Sequence, residues 1–198
     1  MSDEALDDYE AEDIEIDDAI ELVQSTADED GAVQASAEDW ISCSDSAIIF
    51  REHVVVDGDL DFPHETYNGV TVIFEKGLTV SGVIRDCGGD DSVVVVLGDL
   101  EAKHIVCQTY WLVTGDVKIE GTAFGFGTSD YNMEFDGDAS CAMEVTSGYT
   151  LDFKTKKRVD AEDDPTVLHE DCLVDDEISV QKVSARLRQD LSLLAEEK

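Results

Sequence analysis

A short phrase of the form apolar-x-Gly-x-apolar-x-apolar recurs five times in the middle of the chain. Its glycines are Gly58, Gly82, Gly98, Gly115 and Gly137. Apolar and polar positions alternate, and this is the period of a β-strand because successive side chains point to opposite sides. The glycines are separated by 16 to 24 residues, which is too short for a β-α-β crossover but suits one coil of a β-solenoid.

The repeat therefore predicts a mainly β fold, a single-stranded and right-handed β-helix-like solenoid with flanking N- and C-terminal helices. Its coils are expected to stack through backbone hydrogen bonds. In the second copy, Val83 replaces the usual Asp and Asp86 stands at an inward position, which predicts a distorted coil. An antiparallel sandwich remains the alternative, since short strands with turn glycines also describe that fold.

Two stretches carry a resemblance to a known family. The segments Val94–Val106 and Leu112–Gly121 contain Gly-Asp-Leu and Gly-Asp-Val and resemble the Gly-Asp-Leu repeat of bacterial β-solenoid domains. The resemblance covers roughly residues 54 to 145. Several such domains are immunity proteins, so it implies an antidote to a type VI secreted nuclease (DNase) toxin. Relatives have a segment like Tyr-Asn-His-Gly where this chain has Phe124–Thr128, so no role of that segment is carried over.

The charge of the chain restricts its partners. With 48 acidic and 13 basic residues, the formal net charge is −35 over 198 residues. This acidity predicts no binding to nucleic acid or anionic membranes, whose phosphates need cationic contacts. It favours a cationic protein partner, which such a field attracts. Acidity that serves only solubility or adaptation to high salt is the alternative.

Size and cysteine content indicate a folded protein without cross-links. A chain of this length with 42% hydrophobic residues can bury about 70% of its unfolded surface, so it needs neither metal nor disulfide. The cysteines are odd in number and form no Cys-x-x-Cys pair, which predicts buried free thiols. No charged-then-apolar leader and no apolar run of about 18 residues is present, so we expect a soluble cytoplasmic protein. The five cysteines are Cys43, Cys87, Cys107, Cys141 and Cys172.

The N-terminal segment, residues 1–37, is an acidic arm. Apolar residues at helical spacing predict a helix over 14–24 that packs on the solenoid, with Asp13 as its N-cap. Residues 25–37 are predicted to be a linker. Trp40 is then expected to cap the first coil, because an open solenoid end exposes unpaired strand edges.

The solenoid is predicted over residues 38–153, and residues 154–198 form a C-terminal segment. This segment begins with the basic cluster Lys154–Arg158, for which we expect pairing with the acidic arm of the same chain. A linker and a helix over about 177–195 follow, and the helix is expected to lie along a solenoid face. Its apolar stripe is Val180, Val183, Leu187, Leu191 and Leu194.

Nothing in the sequence indicates an enzyme, a cofactor or a metal. The four histidines have no serine, cysteine or carboxylate beside them in a nucleophile pattern. The run Asp57–Asp61 suggests a calcium loop, but Phe62 stands at the position of the EF-hand glycine and Asn68 at that of its bidentate glutamate. We therefore predict a binding protein without catalytic activity.

The residue after each glycine of the repeat should form one outward column, with neighbours about 4.8 Å apart. Its aspartates have two interpretations: hydrated bend residues that accept backbone hydrogen bonds, or an acidic row that engages a toxin's lysines. The acidic loop 86–92 and the aromatic segment 121–132 add possible contacts, although Phe124 or Phe126 can equally fill the core. The predicted partner-binding residues are Asp59, Asp61, Asp86, Asp90, Asp91, Asp99, Glu101, Asp116, Phe124, Phe126 and Asp138.

The sequence thus predicts an immunity protein that occludes a cationic nuclease toxin with an acidic surface, as a monomer in a heterodimer. One alternative is a structural solenoid that polymerises end to end, as bactofilin scaffolds do. A third hypothesis is a carbohydrate-active enzyme on a β-helix, which requires a carboxylate pair in a groove.

Overall fold

The fold was analysed in a computed structural model, which describes residues 5–29, 31–86, 89, 91–128 and 130–195. In chain order, the strands are β1 (Ala11–Ile14), β2 (Ser46–Phe50), β3 (Val54–Val56), β4 (Leu60–Asp61), β5 (Val70–Phe74), β6 (Leu78–Arg85), β7 (Val93–Val96), β8 (Leu100–Cys107), β9 (Tyr110–Val113), β10 (Val117–Phe126), β11 (Met133–Phe135), β12 (Ala139–Ser147), β13 (Lys154–Thr155), β14 (Arg158–Asp160), β15 (Leu173–Val174) and β16 (Glu177–Ile178). The helices are α1 (Ile16–Thr26), α2 (Ala32–Ile41), α3 (His64–Tyr67) and α4 (Val180–Arg188).

The strands stack in parallel as a β-solenoid of about five turns, which confirms the predicted fold and rules out the antiparallel sandwich. One sheet has the order β1-β2-β5-β7-β9-β11, and the other has the order β13-β12-β10-β8-β6-β3. Only β1 and the hairpin of β15 with β16 are antiparallel in the described part of the chain. Each coil therefore hydrogen-bonds to the coil before and after it.

Each coil has three sides. Both β3 and β4 pair with β6, and the pairing of β6, β8, β10 and β12 shifts register midway, so these long strands bend. We define face A as β2, β5, β7, β9 and β11. Face B is β3, the first halves of β6, β8, β10 and β12, and β13. Face C is β4, the second halves of those long strands, and β14.

The sequence of each face reflects what covers it. All four residues of β7, Val93–Val96, are buried, because their side chains point alternately into the solenoid and under helices. Face B alternates instead, with its inward side chains buried and its outward ones partly or fully exposed. The outward residues of face B are Val55, Thr79, Glu101, Lys118 and Ser140.

The two chain ends cover the other two faces. Residues 5–29 and 31–41, which we call the N-terminal layer, place Ala19, Val23 and Ala37 on face A. Residues 161–195, which we call the C-terminal layer, cover face C. There, α4 buries Val180, Val183 and Leu187 against Val83, Val106, Phe124 and Val145.

The first edge of the solenoid is covered by the start of the chain. Strand β1 pairs antiparallel with β2, and Leu6 is buried in the core beside the first coil. The Tyr9 hydroxyl donates to the carbonyl of Val55 at 2.7 Å and accepts from its N–H at 2.8 Å. These contacts occupy backbone groups that an open strand edge leaves unpaired.

The N-terminal predictions need three corrections. The first helix is confirmed but runs over Ile16–Thr26, and its N-cap is Glu15, because Asp13 belongs to β1. The predicted linker 25–37 is largely wrong, since α2 begins at Ala32 and its apolar side packs on face A. Trp40 does not cap the first coil; it stacks on Tyr110, in β9, with ring centroids 4.5 Å apart.

The C-terminal predictions also change. The final helix is confirmed on a solenoid face but covers only Val180–Arg188; Asp190, with φ of 59°, follows its end. Leu191 is consequently exposed, and Leu194 forms an isolated bridge with Leu168. The solenoid continues past the predicted boundary at residue 153, because β13 and β14 pair in parallel with β12.

The basic cluster pairs within the chain, as predicted, but not with the acidic arm. Lys154 contacts Asp138, and Arg158 Nε lies 2.6 Å from the buried Glu144. Both carboxylates belong to the neighbouring coil. The cluster therefore stabilises the last coil of the solenoid.

Candidate functional site

The five repeat glycines lie at two different corners of the coil. Strand register aligns Leu100, Val117 and Ala139, which places Gly98, Gly115 and Gly137 between faces A and B. The register of Leu60 with Ile84 places Gly58 and Gly82 between faces B and C instead. The single outward column predicted from the sequence is therefore wrong. At the A–B corner, the aligned residues are His53, Gly77, Asp99, Asp116 and Asp138.

Three predicted binding residues form a ladder along the A–B corner. Asp116 donates its backbone N–H to the Asp99 carboxylate at 2.9 Å, and Asp138 donates to the Asp116 carboxylate at 2.8 Å. Each aspartate thus accepts a hydrogen bond from the next coil while remaining exposed. These contacts agree with the interpretation of bend residues that satisfy backbone groups. Glu101 lies nearby on face B, with Lys118 Nζ 4.0 Å from its carboxylate.

Asp59 and Asp61 are used inside the molecule. Arg188, at the end of α4, places Nε 3.1 Å from Asp59 and Nη2 2.5 Å from Asp61. Arg85 Nε lies 3.0 Å from the same Asp61 carboxylate. The side chains of Asp61 and Arg188 are 13% and 22% exposed, so this network fastens the C-terminal layer and offers little charge to a partner.

Asp86 is buried in the core and cannot contact a partner, which corrects its predicted role. Its carboxylate accepts the N–H groups of Gln108 and Thr109 and the indole N–H of Trp111, the last at 2.9 Å. Burial raises the pKa of Asp86, while these hydrogen bonds oppose the rise. The carboxylate therefore closes the turn into the next coil, and its inward position was predicted correctly from the repeat.

The aromatic candidates lie under the C-terminal layer. Phe124 is fully buried against that layer, so its predicted contact with a partner is wrong. Phe126 stacks on Phe124 and is partly exposed. In the loop before β7, Asp91 is exposed, whereas Asp90 lies outside the described residues.

A groove of about 520 Å³ runs between α4 and the first coils. Its described lining includes Glu65, Arg85 and Arg188. The two guanidinium groups are already paired with Asp59 and Asp61. Among the described residues that line the groove, both arginines are therefore already committed to carboxylates and do not form a free pair for an anionic ligand.

His104 shows how the C-terminal layer is fastened at its end. The imidazole is 5% exposed, its Nδ1 accepts the N–H of Thr122 at 2.9 Å, and its Nε2 lies 3.3 Å from the Asp190 carboxylate. Lys103 Nζ lies 3.1 Å from the same carboxylate. Burial lowers the pKa of His104 although Asp190 opposes the change, and the Thr122 N–H that donates to Nδ1 also favours the neutral ring.

The N-terminal layer carries the most one-sided charge of the protein. Residues 1–50 contain no lysine, arginine or histidine. Thirteen acidic side chains of the layer are exposed: Asp7, Asp8, Glu10, Glu12, Asp13, Glu15, Asp17, Asp18, Glu21, Asp28, Glu29, Glu38 and Asp39. Arg51 pairs with Glu12 at 3.0 Å and is the only cation that forms an ion pair with the described part of the layer.

The folding of this layer explains why its carboxylates face solvent. Ala19 and Val23 of α1 and Val33, Ala37 and Ile41 of α2 turn their apolar sides toward face A, which leaves the acidic sides outward. The solenoid also holds the start of α2: the Asp136 carboxylate accepts the N–H of Asp28 at 3.0 Å and that of Val33 at 3.4 Å. An ordered acidic surface results. The lack of cations before residue 51 was its signal in the sequence, but the predicted site residues were placed on the repeat, the loop 86–92 and the segment 121–132.

Comparison with known proteins does not assign this chain to a family. No protein-family model matches the chain, and neither a curated protein nor a solved structure matches it. The described residues include no helix that is long and apolar enough to cross a membrane. Among those same residues, no group of three or more His, Cys, Asp or Glu is placed to hold a metal ion.

The cysteine prediction is partly confirmed. Cys107, Cys141 and Cys172 are buried free thiols as predicted, whereas Cys43 is an exposed free thiol, contrary to prediction. Cys87 lies outside the described residues.

Proposed function

We propose that this protein is a non-catalytic binding protein that captures a cationic protein partner through its N-terminal layer. The observation that carries the proposal is the set of thirteen exposed carboxylates on that layer, which contains no cation of its own. Carboxylates elsewhere are partly neutralised within the molecule, for example Asp61 by Arg85 and Arg188. A partner with a basic surface gains the most electrostatic binding free energy where the acidic charge is not already paired with cations of this chain.

The specific form we propose is an immunity protein that neutralises a type VI secreted nuclease in the bacterial cytoplasm. The resemblance of Val94–Val106 and Leu112–Gly121 to the Gly-Asp-Leu repeat supports this form. A nuclease must present cations to bind the phosphates of its substrate. Acidic side chains that occupy this cationic cleft exclude the substrate, and their field raises the association rate by about 10- to 1,000-fold.

The structure offers no specific support for the polymerising scaffold. The backbone groups of Val55 at the first edge are bonded to Tyr9, and β1 covers β2. The last coil carries Lys154 and Arg158, and charged side chains on edge strands oppose edge-to-edge pairing. Self-assembly into a scaffold is therefore one outcome that the following experiment would detect.

The test compares two variants with the same change in charge. The first neutralises the N-terminal layer with Asp17→Asn, Asp18→Asn, Glu21→Gln, Glu38→Gln and Asp39→Asn. The second neutralises exposed acids of the C-terminal layer with Glu162→Gln, Asp163→Asn, Asp175→Asn, Asp176→Asn and Glu177→Gln. Tagged wild-type protein and both variants are used to capture partners from the native cell, followed by mass spectrometry and nuclease assays of the captured protein.

We expect one stoichiometric basic protein with the wild type and the second variant, and its loss with the first variant. Its nuclease activity should be inhibited by added wild-type protein. Equal capture by both variants contradicts the assignment to the N-terminal layer. Recovery of only this protein itself, in particles that grow with concentration, contradicts the binding function and supports the scaffold.

A further inference from the structure

Three aromatic rings contact one another beside the N-terminal layer. Trp40 of α2 stacks on Tyr110 of β9 with centroids 4.5 Å apart and planes inclined by 28°. Tyr110 in turn contacts Tyr131 in a tilted arrangement, with centroids 4.9 Å apart and planes inclined by 52°, and we call the three rings the stack. The helical layer, the fourth coil and the loop before β11 thus each contribute one ring.

These rings differ from those of the core. Trp111, Phe74 and Phe124 are fully buried, whereas Trp40, Tyr110 and Tyr131 are all partly exposed. Trp40 and Tyr110 pack partly against the apolar cluster that Ala37 and Ile41 fill on face A, and part of each ring remains exposed. The stack therefore presents aromatic surface to solvent at the border of the acidic layer, where aromatic anchors are typical of protein interfaces.

Each outer ring follows an exposed acidic residue in the chain, and lysine and arginine are missing from the segments that build the stack. Exposed Asp39 precedes Trp40 in the chain, and exposed Asp130 precedes Tyr131. No lysine or arginine occurs in residues 31–50, 104–117 or 119–153. The faces of aromatic rings attract cations, and tryptophan does so most strongly.

An arginine side chain fits this combination better than a lysine. The guanidinium group is planar, so it stacks on a ring while its N–H groups donate to carboxylates in a bidentate geometry. Lysine has a compact, strongly hydrated ammonium group that cannot stack in this way. The surface therefore distinguishes two cations of equal charge.

We propose that the stack of Trp40, Tyr110 and Tyr131, whose outer rings follow the exposed Asp39 and Asp130 in the chain, receives an arginine side chain of the cationic partner. This inference rests on the proposed function and specifies its chemistry. The thirteen carboxylates of the layer attract the partner at long range, and the stack selects an arginine at short range. The general attraction is weakened by salt, whereas the stacking contact is weakened less.

The test uses two probes, a nonapeptide of nine arginines and a nonapeptide of nine lysines, titrated into the full chain at about 0.1 M salt. Isothermal titration calorimetry gives the peptide affinity of the wild type and of every variant. In proteins that retain Trp40, its fluorescence also reports binding at the stack, because the only other tryptophan, Trp111, is fully buried. We expect the arginine peptide to bind about threefold tighter than the lysine peptide through stacking on the rings. Trp40→Leu should remove that preference and leave the affinity for the lysine peptide within about twofold, because the carboxylates remain.

Two further variants separate a binding role from a purely structural one. Tyr131→Leu, at the other end of the stack, should also reduce the preference for arginine. Phe126→Leu changes a partly exposed stacked ring on face C and should keep the full preference. Thermal unfolding verifies that each variant is folded. If Trp40→Leu is not folded, Trp40→Phe replaces it. For Trp40→Phe we expect a preference for the arginine peptide between those of the wild type and of a variant without the ring.

The outcomes distinguish this inference from the proposed function. An unchanged arginine preference in both Trp40→Leu and Tyr131→Leu overturns the arginine site. If both peptides still bind in that case, and binding is lost in the variant with five neutralised acids of the N-terminal layer, the proposed function stands. Absence of binding by either peptide to the wild type contradicts both.

Discussion

The two terminal layers cover equivalent faces of the solenoid but use charge in opposite ways. The C-terminal layer is fastened to face C by apolar contacts and by ion pairs, since Arg188 meets Asp59 and Asp61 and since Asp190 meets Lys103. The N-terminal layer is held on face A by apolar contacts and backbone capping, and its acids point outward. Covering a β-face thus requires only an apolar stripe, and the charges that remain are free for another role.

The largest expected effect tests the apolar part of this comparison. Leu187→Ala removes a side chain that is 1% exposed between α4 and face C, so it should lower the free energy of unfolding by about 3 kcal/mol. Leu191→Ala is the control, because Leu191 belongs to the same layer but is 43% exposed. Urea unfolding checks both variants. A similar loss in both would show that the layer is not packed as described.

A smaller effect is expected from the ion pairs of the C-terminal layer. Arg188→Met leaves Asp59 without a cation and Asp61 with Arg85 alone, which should cost about 2 kcal/mol of unfolding free energy. Arg51→Met removes an exposed pair with Glu12 in the N-terminal layer, and we expect no resolvable loss. The two variants are compared by urea unfolding at low and moderate salt. Equal losses would remove the distinction between the layers.

The pH dependence of stability sharpens the same distinction at the end of α4. Burial lowers the pKa of His104 below its unfolded value of about 6.5, so the unfolded chain takes up a proton first as the pH falls. The contribution of His104 is therefore complete above about pH 6.5 and is lost as the pH falls through the lower pKa of the folded protein. The groups that face it are Asp190, Lys103, Asp59 and the N–H of Thr122.

The measurement is the difference in unfolding free energy between pH 7.5 and pH 5.5. His104→Gln should show a smaller decrease on acidification than the wild type. His64→Gln is the control, because His64 is exposed and lies outside the C-terminal layer. A decrease that is identical in wild type and His104→Gln would mean that the imidazole does not resist protonation.

The smallest effect on stability is expected in the N-terminal layer. Asp17→Asn, Asp18→Asn and Glu21→Gln together should change the unfolding free energy by less than about 1 kcal/mol. The substitutions remove the favourable interaction of Asp17 and Asp18 with the N-terminal end of the α1 dipole. They also relieve repulsion among neighbouring acidic side chains, so the two effects offset each other. The same variant should bind the nonapeptide of nine lysines more weakly and with a shallower salt dependence. Strong destabilisation with unchanged peptide binding would reverse the roles assigned to the two layers.

Much of the fold could be predicted because strand alternation is a local property. The pattern of Leu100 to Ala102 and of Val117 to Ile119 shows which side chains enter the core, and the structure confirms both. The corner of the coil at which each copy of the repeat lies could not be predicted. Glycine bends occur at two different corners of the solenoid and produce the same seven-residue pattern, so Gly58 and Gly98 look alike in sequence although they lie at different corners.

The candidate site was harder to predict for a related reason. Asp59 and Asp99 occupy the same place in the repeat, but Asp59 pairs with Arg188, which is far away in the chain. Phe124 points outward from its strand and is nevertheless buried, because the C-terminal layer lies over it. The helix α2 was missed because its buried side consists of only Val33, Ala37 and Ile41, and because its start is held by Asp136 from the fifth coil.

The sequence alone determined that this chain forms a strongly acidic β-solenoid with amphipathic ends, because alternation, helical spacing and net charge are properties of short stretches or of the whole composition. Only the tertiary structure decided which corner each glycine occupies, which faces the chain ends cover, and which carboxylates remain unpaired. Those outcomes depend on contacts between residues about 20 to more than 100 positions apart, as between Asp61 and Arg188. A local pattern carries no information about such partners, so only the folded chain shows that the acidic arm forms an ordered surface with its carboxylates outward.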